Sequence, residues 1–250
     1  MKSLTLAATA LALTAGLAPV SSLAQTQTVR MGTEGAYAPY NFIDDATGEV
    51  TGFEIELGNA LCERAGLDCT WVRNDWDSII PNLVSSNYDT IMAGMNINEE
   101  RQAVIAFTQP YTPAMPSAYA ALSADVDVEG GIIAAQTNTI QAGHVAGTDA
   151  VLLEFPNPDQ TVAAVRNGEA DAVFADKDFL APIVEESGGE LVWVEGFDTV
   201  TLGEGIGMGL RQSDTELLET FDAQIAAMKE DGSLNELILK WFGEDALVFE

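Results

Sequence analysis

Asp89-Thr90-Ile91-Met92-Ala93 runs without a break into Gly94-Met95-Asn96-Ile97-Asn98-Glu99-Glu100-Arg101, and this stretch decides the fold. Its first part is an apolar run too short for a helix, so it reads as a buried strand. Gly94 breaks the run. Asn98, followed by Glu99 and Glu100, then supplies the cap and first-turn acids of a helix. Upstream the same alternation repeats. Thr28 to Gly32 is a short strand, and Phe53, Leu57, Ala60, Leu61 and Ala65 recur at helical spacing until Gly66 ends them. Thr70 to Arg73 is a strand, and Trp76 to Leu83 a helix in spite of Pro81. Strand–helix–strand–helix–strand is the order of an α/β unit, a mainly parallel sheet flanked by helices.

Downstream a second unit follows. Gly131 to Ala135 is a strand running into Gln136-Thr137-Asn138-Thr139, a helix cap. A helix over about Gln160 to Asn167 precedes the strand Asp171 to Ala175, and Asp176 to Glu186 is a further helix. Leu191 to Val194 closes the unit. After the glycine-rich Gly203 to Gly209, two helices remain, about Asp214 to Lys229 and Ser233 to Trp241. Two open α/β units invite a ligand at the carboxyl ends of their strands, where the loops with Glu34, Ala93 to Asn98 and Gln136 to Thr139 gather. The units are unequal in length, so the tail helices are expected to return to the first. That return requires crossings near Ala114 to Leu122 and Phe197 to Gly205.

The composition narrows the function. The 250 residues are 47% hydrophobic and 20% charged, which describes a globular chain rather than a disordered one. Acids dominate: 39 Asp and Glu stand against 10 Lys and Arg, a formal net charge of −29. Such an envelope repels phosphate backbones and anionic headgroups, which excludes nucleic acid as a partner. With His144 as the one histidine and Cys62 and Cys69 as the two cysteines, nitrogen- and sulfur-ligated metal sites lack ligands, and no metal or cofactor is expected.

Met1 to Ala24 reads as a secretory leader. Lys2 gives the positive start, Leu4 to Val20 the apolar stretch, and Ser22-Leu23-Ala24 the small-x-small cleavage pattern before Gln25. Thr5, Thr9, Thr14, Gly16 and Pro19 interrupt a run already short for a membrane span. No cysteine follows it for a lipid anchor. Export also decides the reading of Cys62 and Cys69, because an oxidising compartment favours a disulfide.

The quoted stretch resembles the D-x-I-x-A-G-M-[ST]-I-T-x-x-R signature of the family 3 periplasmic solute-binding proteins, polar amino-acid receptors of ATP-driven importers. Gly32 to Tyr40, Asp171 to Asp176 and Gly207 to Arg211 agree with the same family, and the likeness spans residues 28 to 243. Cys62 and Cys69 match a disulfide of its lysine/arginine/ornithine and histidine receptors. The resemblance implies a two-lobe periplasmic binding protein fold (type II). One lobe is expected from 25–113 with 206–250 and the other from 117–200, with hinges near 114–116 and 201–205.

It also implies a site. Arg101 resembles the carboxylate clamp, with backbone N–H groups of Asn96 and Thr139 completing the shell. Asp176 matches the partner of the ligand's ammonium, helped by the Gly94 carbonyl and the Asn96 side chain. The alternative for Asp176 is a helix N-cap, and both roles can hold. Tyr37 and Trp76 resemble the aromatic pair around the ligand side chain. Glu34 matches the acid that receives a distal cation. Two departures stand out: Asn96 replaces the usual Ser or Thr, and Thr137-Asn138-Thr139 replaces a Gly-led small hydroxyl pair.

With Arg101, Asp176 and Glu34 in one cleft the site carries a single net negative charge, which a basic amino acid neutralises. The implied protein is a monomer in the periplasm that closes on arginine, lysine, ornithine or histidine and docks on the membrane permease of an ABC importer. It is not an enzyme on this reading. The alternative is a periplasmic cyclohexadienyl or arogenate dehydratase on the same fold, using a cleft carboxylate as general acid.

Overall fold

A computed structural model describes residues 28–250, and the leader read in Met1 to Ala24 lies outside the described residues. No helix among the described residues is long and apolar enough to cross a membrane. Two mixed sheets organise the chain. The first has five strands in the order Asp68–Arg73, Thr28–Thr33, Thr90–Ile91, Gly209–Leu210, Ala106–Phe107. The second has six: the path Val151–Phe155, Ile132–Gln136, Ala172–Asp176, Pro116–Ala121, Val192–Trp193, with Val200–Thr201 also on Pro116–Ala121.

Strands joined through helices pair in parallel, as Thr28–Thr33 does with both Asp68–Arg73 and Thr90–Ile91, and Ile132–Gln136 with Val151–Phe155 and Ala172–Asp176. Strands at the crossings pair antiparallel, Gly209–Leu210 with Thr90–Ile91 and Pro116–Ala121 with Ala172–Asp176. A chain arriving from the other lobe enters its sheet from the end opposite to one returning from a helix, so each lobe is parallel at its centre and antiparallel where the crossings land. The chain leaves the first sheet after Ala106–Phe107 and enters the second at Pro116–Ala121. It comes back between Val200–Thr201 and Gly209–Leu210.

The helix Phe53–Ala65 shows why the sequence folds this way. Phe53, Leu57 and Leu61 lie on one stripe and have no exposed surface. Each such side chain contributes about 1.5–3 kcal/mol on burial. Gly58 lets the helix approach the sheet, since a Cβ there would lie 2.7 Å from the Trp71 ring. Gly66 ends the helix in the left-handed conformation at φ 67°. Cys62 in the last turns of the helix and Cys69 on the strand after Gly66 form the disulfide expected from export. The tail helices Thr215–Glu230 and Ser233–Phe242 pack on this helix.

Besides the strand Val151–Phe155, which the sequence reading passes over, three features depart from it. Asp89 to Ala93 is a strand only at Thr90–Ile91, because after the Met92 amide donates to Gly32 at 2.8 Å the chain leaves the sheet at Ala93 for the cleft. Ala114 to Leu122, read as a crossing, contains the strand Pro116–Ala121, whose small residues are buried on both faces and show no alternation. A three-stranded antiparallel unit, Ala36–Tyr37, Asn41–Ile43 and Val50–Thr51, escapes the sequence reading, since its strands are only two or three residues long.

Candidate functional site

Between the lobes lies a small cavity. Glu34, Tyr37, Trp76, Gly94, Asn96 and Arg101 line it from the first lobe, and Thr139 and Asp176 from the second. The structure thus brings all the ligand-site residues singled out in the sequence to one cavity. It adds Ala93, Gln136, Ile140 and Gln141, which the sequence reading does not single out as site residues. Hydrogen bonds cross the cleft in several places, so the lobes are in contact around the cavity.

Arg101 marks one end. It belongs to the short helix Glu99–Gln102, whose cap Asn98 accepts from the Arg101 amide at 2.8 Å. One guanidinium nitrogen donates to the Asn96 carbonyl at 2.7 Å, the other to the Asn138 carbonyl across the cleft at 3.1 Å. The guanidinium also lies over the Trp76 ring, 5.2 Å from its centroid. The side chain is only 8% exposed, and none of the ion pairs among the described residues involves it. Burial lowers its pKa to about 10, opposed by Asp176 and Glu100, so it stays cationic at neutral pH. Of its five N–H groups the protein engages two, which leaves a fork free for an anion.

Thr139 stands opposite. It caps the helix Ile140–Ala146 by accepting from the Ala142 amide at 3.1 Å. Asn138 before it takes φ 58°, the left-handed conformation that glycine adopts freely and asparagine tolerates best among the others. That accounts for the missing glycine in Thr137-Asn138-Thr139.

Asp176 ends the strand Ala172–Asp176 and points into the cavity. Its side chain makes no capping bond to the helix that follows. Instead Oδ2 accepts from the Tyr37 hydroxyl at 2.8 Å, and Oδ1 accepts from Gln141 at 2.9 Å and from Asn96 at 3.5 Å. Burial pushes its pKa up to about 6, against the Tyr37 hydrogen bond that lowers it. Tyr37 lies flat on Phe179 with centroids 4.4 Å apart, which fixes its hydroxyl on Asp176.

Glu34 marks the far end, just past the strand Thr28–Thr33. Its Oε1 accepts from Gln136 at 2.7 Å, and the same Gln136 nitrogen donates to the Pro156 carbonyl at 3.1 Å. Burial is the main cause that raises the Glu34 pKa to about 7; the Gln136 bond lowers it, and Asp75, Asp77 and Asp159 raise it further. Trp76 opens the helix Trp76–Val84 beside it and is 7% exposed. Two buried carboxylates facing one buried guanidinium form a site that gains by taking in a cation and an anion joined in one small molecule.

Gln136 and Gln141 do carry a sequence signal. Gln136 is the polar residue at the carboxyl end of an apolar strand, the same placement that identifies Asp176. Gln141 lies in the first turn after the Thr139 cap and bridges Asp176 to Ser117 at 2.9 Å each. His144 is exposed on that helix and takes no part. Among the described residues no group of three or more His, Cys, Asp or Glu is placed to hold a metal ion.

The profile of the family described as bacterial extracellular solute-binding proteins, family 3, matches residues 29–244. The lysine/arginine/ornithine-binding periplasmic protein of Escherichia coli (strain K12) is 30% identical over 257 residues, covering 93% of this chain and 95% of that protein. The histidine-binding periplasmic protein of Salmonella typhimurium is 33% identical over 236 residues, 88% of this chain and 89% of that protein. Among solved structures, a periplasmic His/Glu/Gln/Arg/opine family-binding protein from Silicibacter pomeroyi, in complex with lysine, superposes with a TM-score of 0.86. It is 66% identical and covers 88% of this chain and 100% of its own.

Proposed function

The chain belongs to family 3 of the bacterial extracellular solute-binding proteins, and from that premise we propose that it captures a free amino acid with a cationic side chain and delivers it to an importer. One observation carries the reading: a single cavity is lined by Arg101, Asp176 and Glu34 together.

On this reading the ligand carboxylate lies on the free N–H groups of Arg101 and the backbone at Asn96 and Thr139. The ammonium lies on Asp176, with the Gly94 carbonyl and Asn96 beside it. The side chain runs between Tyr37 and Trp76 to Glu34. A buried charge without a partner costs several kcal/mol, so a ligand that pairs all of these groups is favoured over one that leaves Glu34 unpaired. Gln136 and Gln141 hold the two carboxylates in position, one from each flank of the second lobe.

Lobes formed by 25–113 with 206–250 and by 117–200 would rotate about hinges near 114–116 and 201–205. The ligand shifts the population toward the closed form, which docks on the permease as a monomer. A cleavable leader in Met1 to Ala24, with no lipid anchor, would place it in the periplasm. The Cys62–Cys69 disulfide supports an oxidising compartment.

The test is a thermal-shift and calorimetry panel of free amino acids and opine derivatives on protein refolded without ligand. Arginine, lysine, ornithine or histidine is expected to stabilise. Stabilisation by glutamine or glutamate with none from the basic set refutes the reading. We further propose that the chain is not an enzyme. Incubation with prephenate or arogenate is expected to yield no phenylpyruvate or phenylalanine, and formation of either assigns the dehydratase alternative.

A further inference from the structure

Glu54 has no exposed surface and takes part in none of the ion pairs among the described residues. Nor does it line the ligand cavity. Its carboxylate is nonetheless fully used. The Gly94 amide donates to both oxygens, at 2.8 and 3.0 Å, and Asn41 donates to Oε2 at 2.7 Å. The Tyr111 hydroxyl donates to Oε1.

Each donor leads to a different part of the site. Gly94 lies on the cavity wall at φ 63°, and a Cβ in its place would sit 3.2 Å from the Tyr37 ring. The Gly94 turn is therefore held between Tyr37 and Glu54. The Asn41 carbonyl accepts from the Gly35 amide at 2.7 Å, and Gly35 directly follows Glu34. Tyr111 stands on the first crossing, and its amide donates at 2.8 Å to Ile206 on the second. Ile206 in turn pairs with Asn96 on the cavity wall.

We propose that Glu54 is a positioning residue for the amino-acid site. By holding Gly94, Asn41 and Tyr111 together it aims the Gly94 turn, steadies the base of Glu34 and ties both to the crossings between the lobes. Ligand affinity then depends on a side chain that touches no ligand. The inference rests on the amino-acid-binding reading above.

Only a carboxylate satisfies this set, because three donors converge and a carboxylate accepts without donating. Glutamine would bring two N–H donors of its own. Asn41 cannot relieve the conflict by turning its amide, since its carbonyl is needed by the Gly35 amide. With the new oxygen toward Asn41, the amide nitrogen faces Tyr111, whose hydroxyl must turn to accept and whose proton loses its partner. With the oxygen toward Tyr111, two amide nitrogens oppose each other at Asn41, and the misfit passes to the neighbour of Glu34.

The experiment uses refolded ligand-free chain carrying Glu54→Gln, titrated with arginine and with lysine by calorimetry. Both Kd values are expected to rise about tenfold or more, the size of one mis-set buried hydrogen bond. A role in folding alone would lower the unfolding temperature and leave Kd within about threefold, and that result overturns the proposal. Tyr111→Phe deletes one donor and no cavity contact, and is expected to raise Kd about fivefold. If Glu54→Gln does not fold, an unchanged Kd in Tyr111→Phe overturns the proposal. Wild-type protein that binds no basic amino acid refutes the binding reading instead. The Gly94 amide proton then decides on Glu54 without any ligand: it is expected far downfield in the wild type and shifted upfield in Glu54→Gln, or in Tyr111→Phe should the first variant not fold. An unmoved resonance refutes the positioning role.

Discussion

Replacing Glu34 by glutamine is the sharpest test of the ligand class. The substitution keeps the shape and the hydrogen bond, because the carbonyl of the new amide can still accept from Gln136, which lies 2.7 Å from Glu34 in the wild type. What it removes is one negative charge at the far end of the cavity. Two unit charges 4 Å apart interact by about 4 kcal/mol at an effective dielectric of about 20. Against this stands the cost of ionising Glu34, whose pKa near 7 means that about half of the acid is protonated at pH 7, a cost of roughly 0.4 kcal/mol. The cation also gives up its hydration on entering the site, which takes back another ~1–2 kcal/mol. The net loss is about 1.6–2.6 kcal/mol, or roughly a 15- to 80-fold rise in Kd for arginine, lysine or ornithine. Neutral amino acids are expected to bind the variant no more weakly than the wild type. Calorimetry at pH 7.5 on refolded, ligand-free protein measures both. A Glu34→Gln protein whose arginine Kd stays within about threefold of wild type refutes the assignment of Glu34 to the ligand's distal cation.

Four further outcomes are expected. Because burial raises Glu34 to about 7 and Asp176 to about 6, closing on a cation requires both to lose protons, so affinity rises with pH through 5.5 to 7.5 and levels above it. Taken over that range the two shifts amount to at most about 3 kcal/mol, and calorimetry showing a flat Kd refutes the linkage. The stability of the ligand-free protein moves the other way: a carboxylate raised on folding stabilises below its unfolded pKa and loses that contribution as pH rises through the folded value. Wild type is therefore expected to gain unfolding temperature from pH 7.5 to 5.5 relative to Glu34→Gln, and identical slopes refute it. Arg101→Met removes the anion fork and leaves Asp176 in place, which is expected to cost about 3 kcal/mol or more of arginine affinity by titration. A Cys62→Ala, Cys69→Ala double variant opens a short loop and is expected to lose about 2–3 kcal/mol in urea unfolding with ligand affinity unchanged.

The fold is legible in the sequence where a single strong preference acts alone. The stripe of Phe53, Leu57 and Leu61 with Gly66 behind it reads as a helix and its stop, and the structure ends the helix within a residue of the expected place. Pro116–Ala121 is illegible for the opposite reason. Ser, Ala and Tyr buried on both faces carry no period, and the strand exists because its neighbours in the sheet hold it from either side. The site divides along the same line. Arg101 and Asp176 stand in motifs whose order along the chain announces them. Glu54 does not, because it lies on a helix face that alternates acid and apolar residues, and its neighbour Glu56 is an ordinary surface acid paired with Lys240 at 2.6 Å. Only the arrival of Gly94, Asn41 and Tyr111 from three other segments distinguishes the two acids, and one-dimensional spacing holds no record of that meeting.

The acidity of the chain links to the ligand through the mouth of the cleft. Arg30, Arg64, Arg166, Lys177, Arg211 and Lys240 are each committed to surface acids, so few cations remain to offset the rest. Around Glu34 the surplus is concentrated: Asp75 and Asp77 on one lobe and Asp159 on the other all raise its pKa, and Glu154 of the second lobe raises that of Asp77. These acids approach each other when the lobes close, and at the exposed mouth their repulsion is screened over about 8 Å at physiological salt. A cationic side chain entering at Glu34 offsets that repulsion, whereas a neutral one leaves it in place. The proposed preference for a basic amino acid would therefore have two sources, the contact at Glu34 and the cost of closing without a cation. The two contributions separate by ionic strength. Added salt is expected to narrow the ratio of arginine to glutamine affinity in the wild type by relieving the mouth, while the buried contact at Glu34 keeps the ratio above one. A ratio independent of salt assigns the whole preference to Glu34.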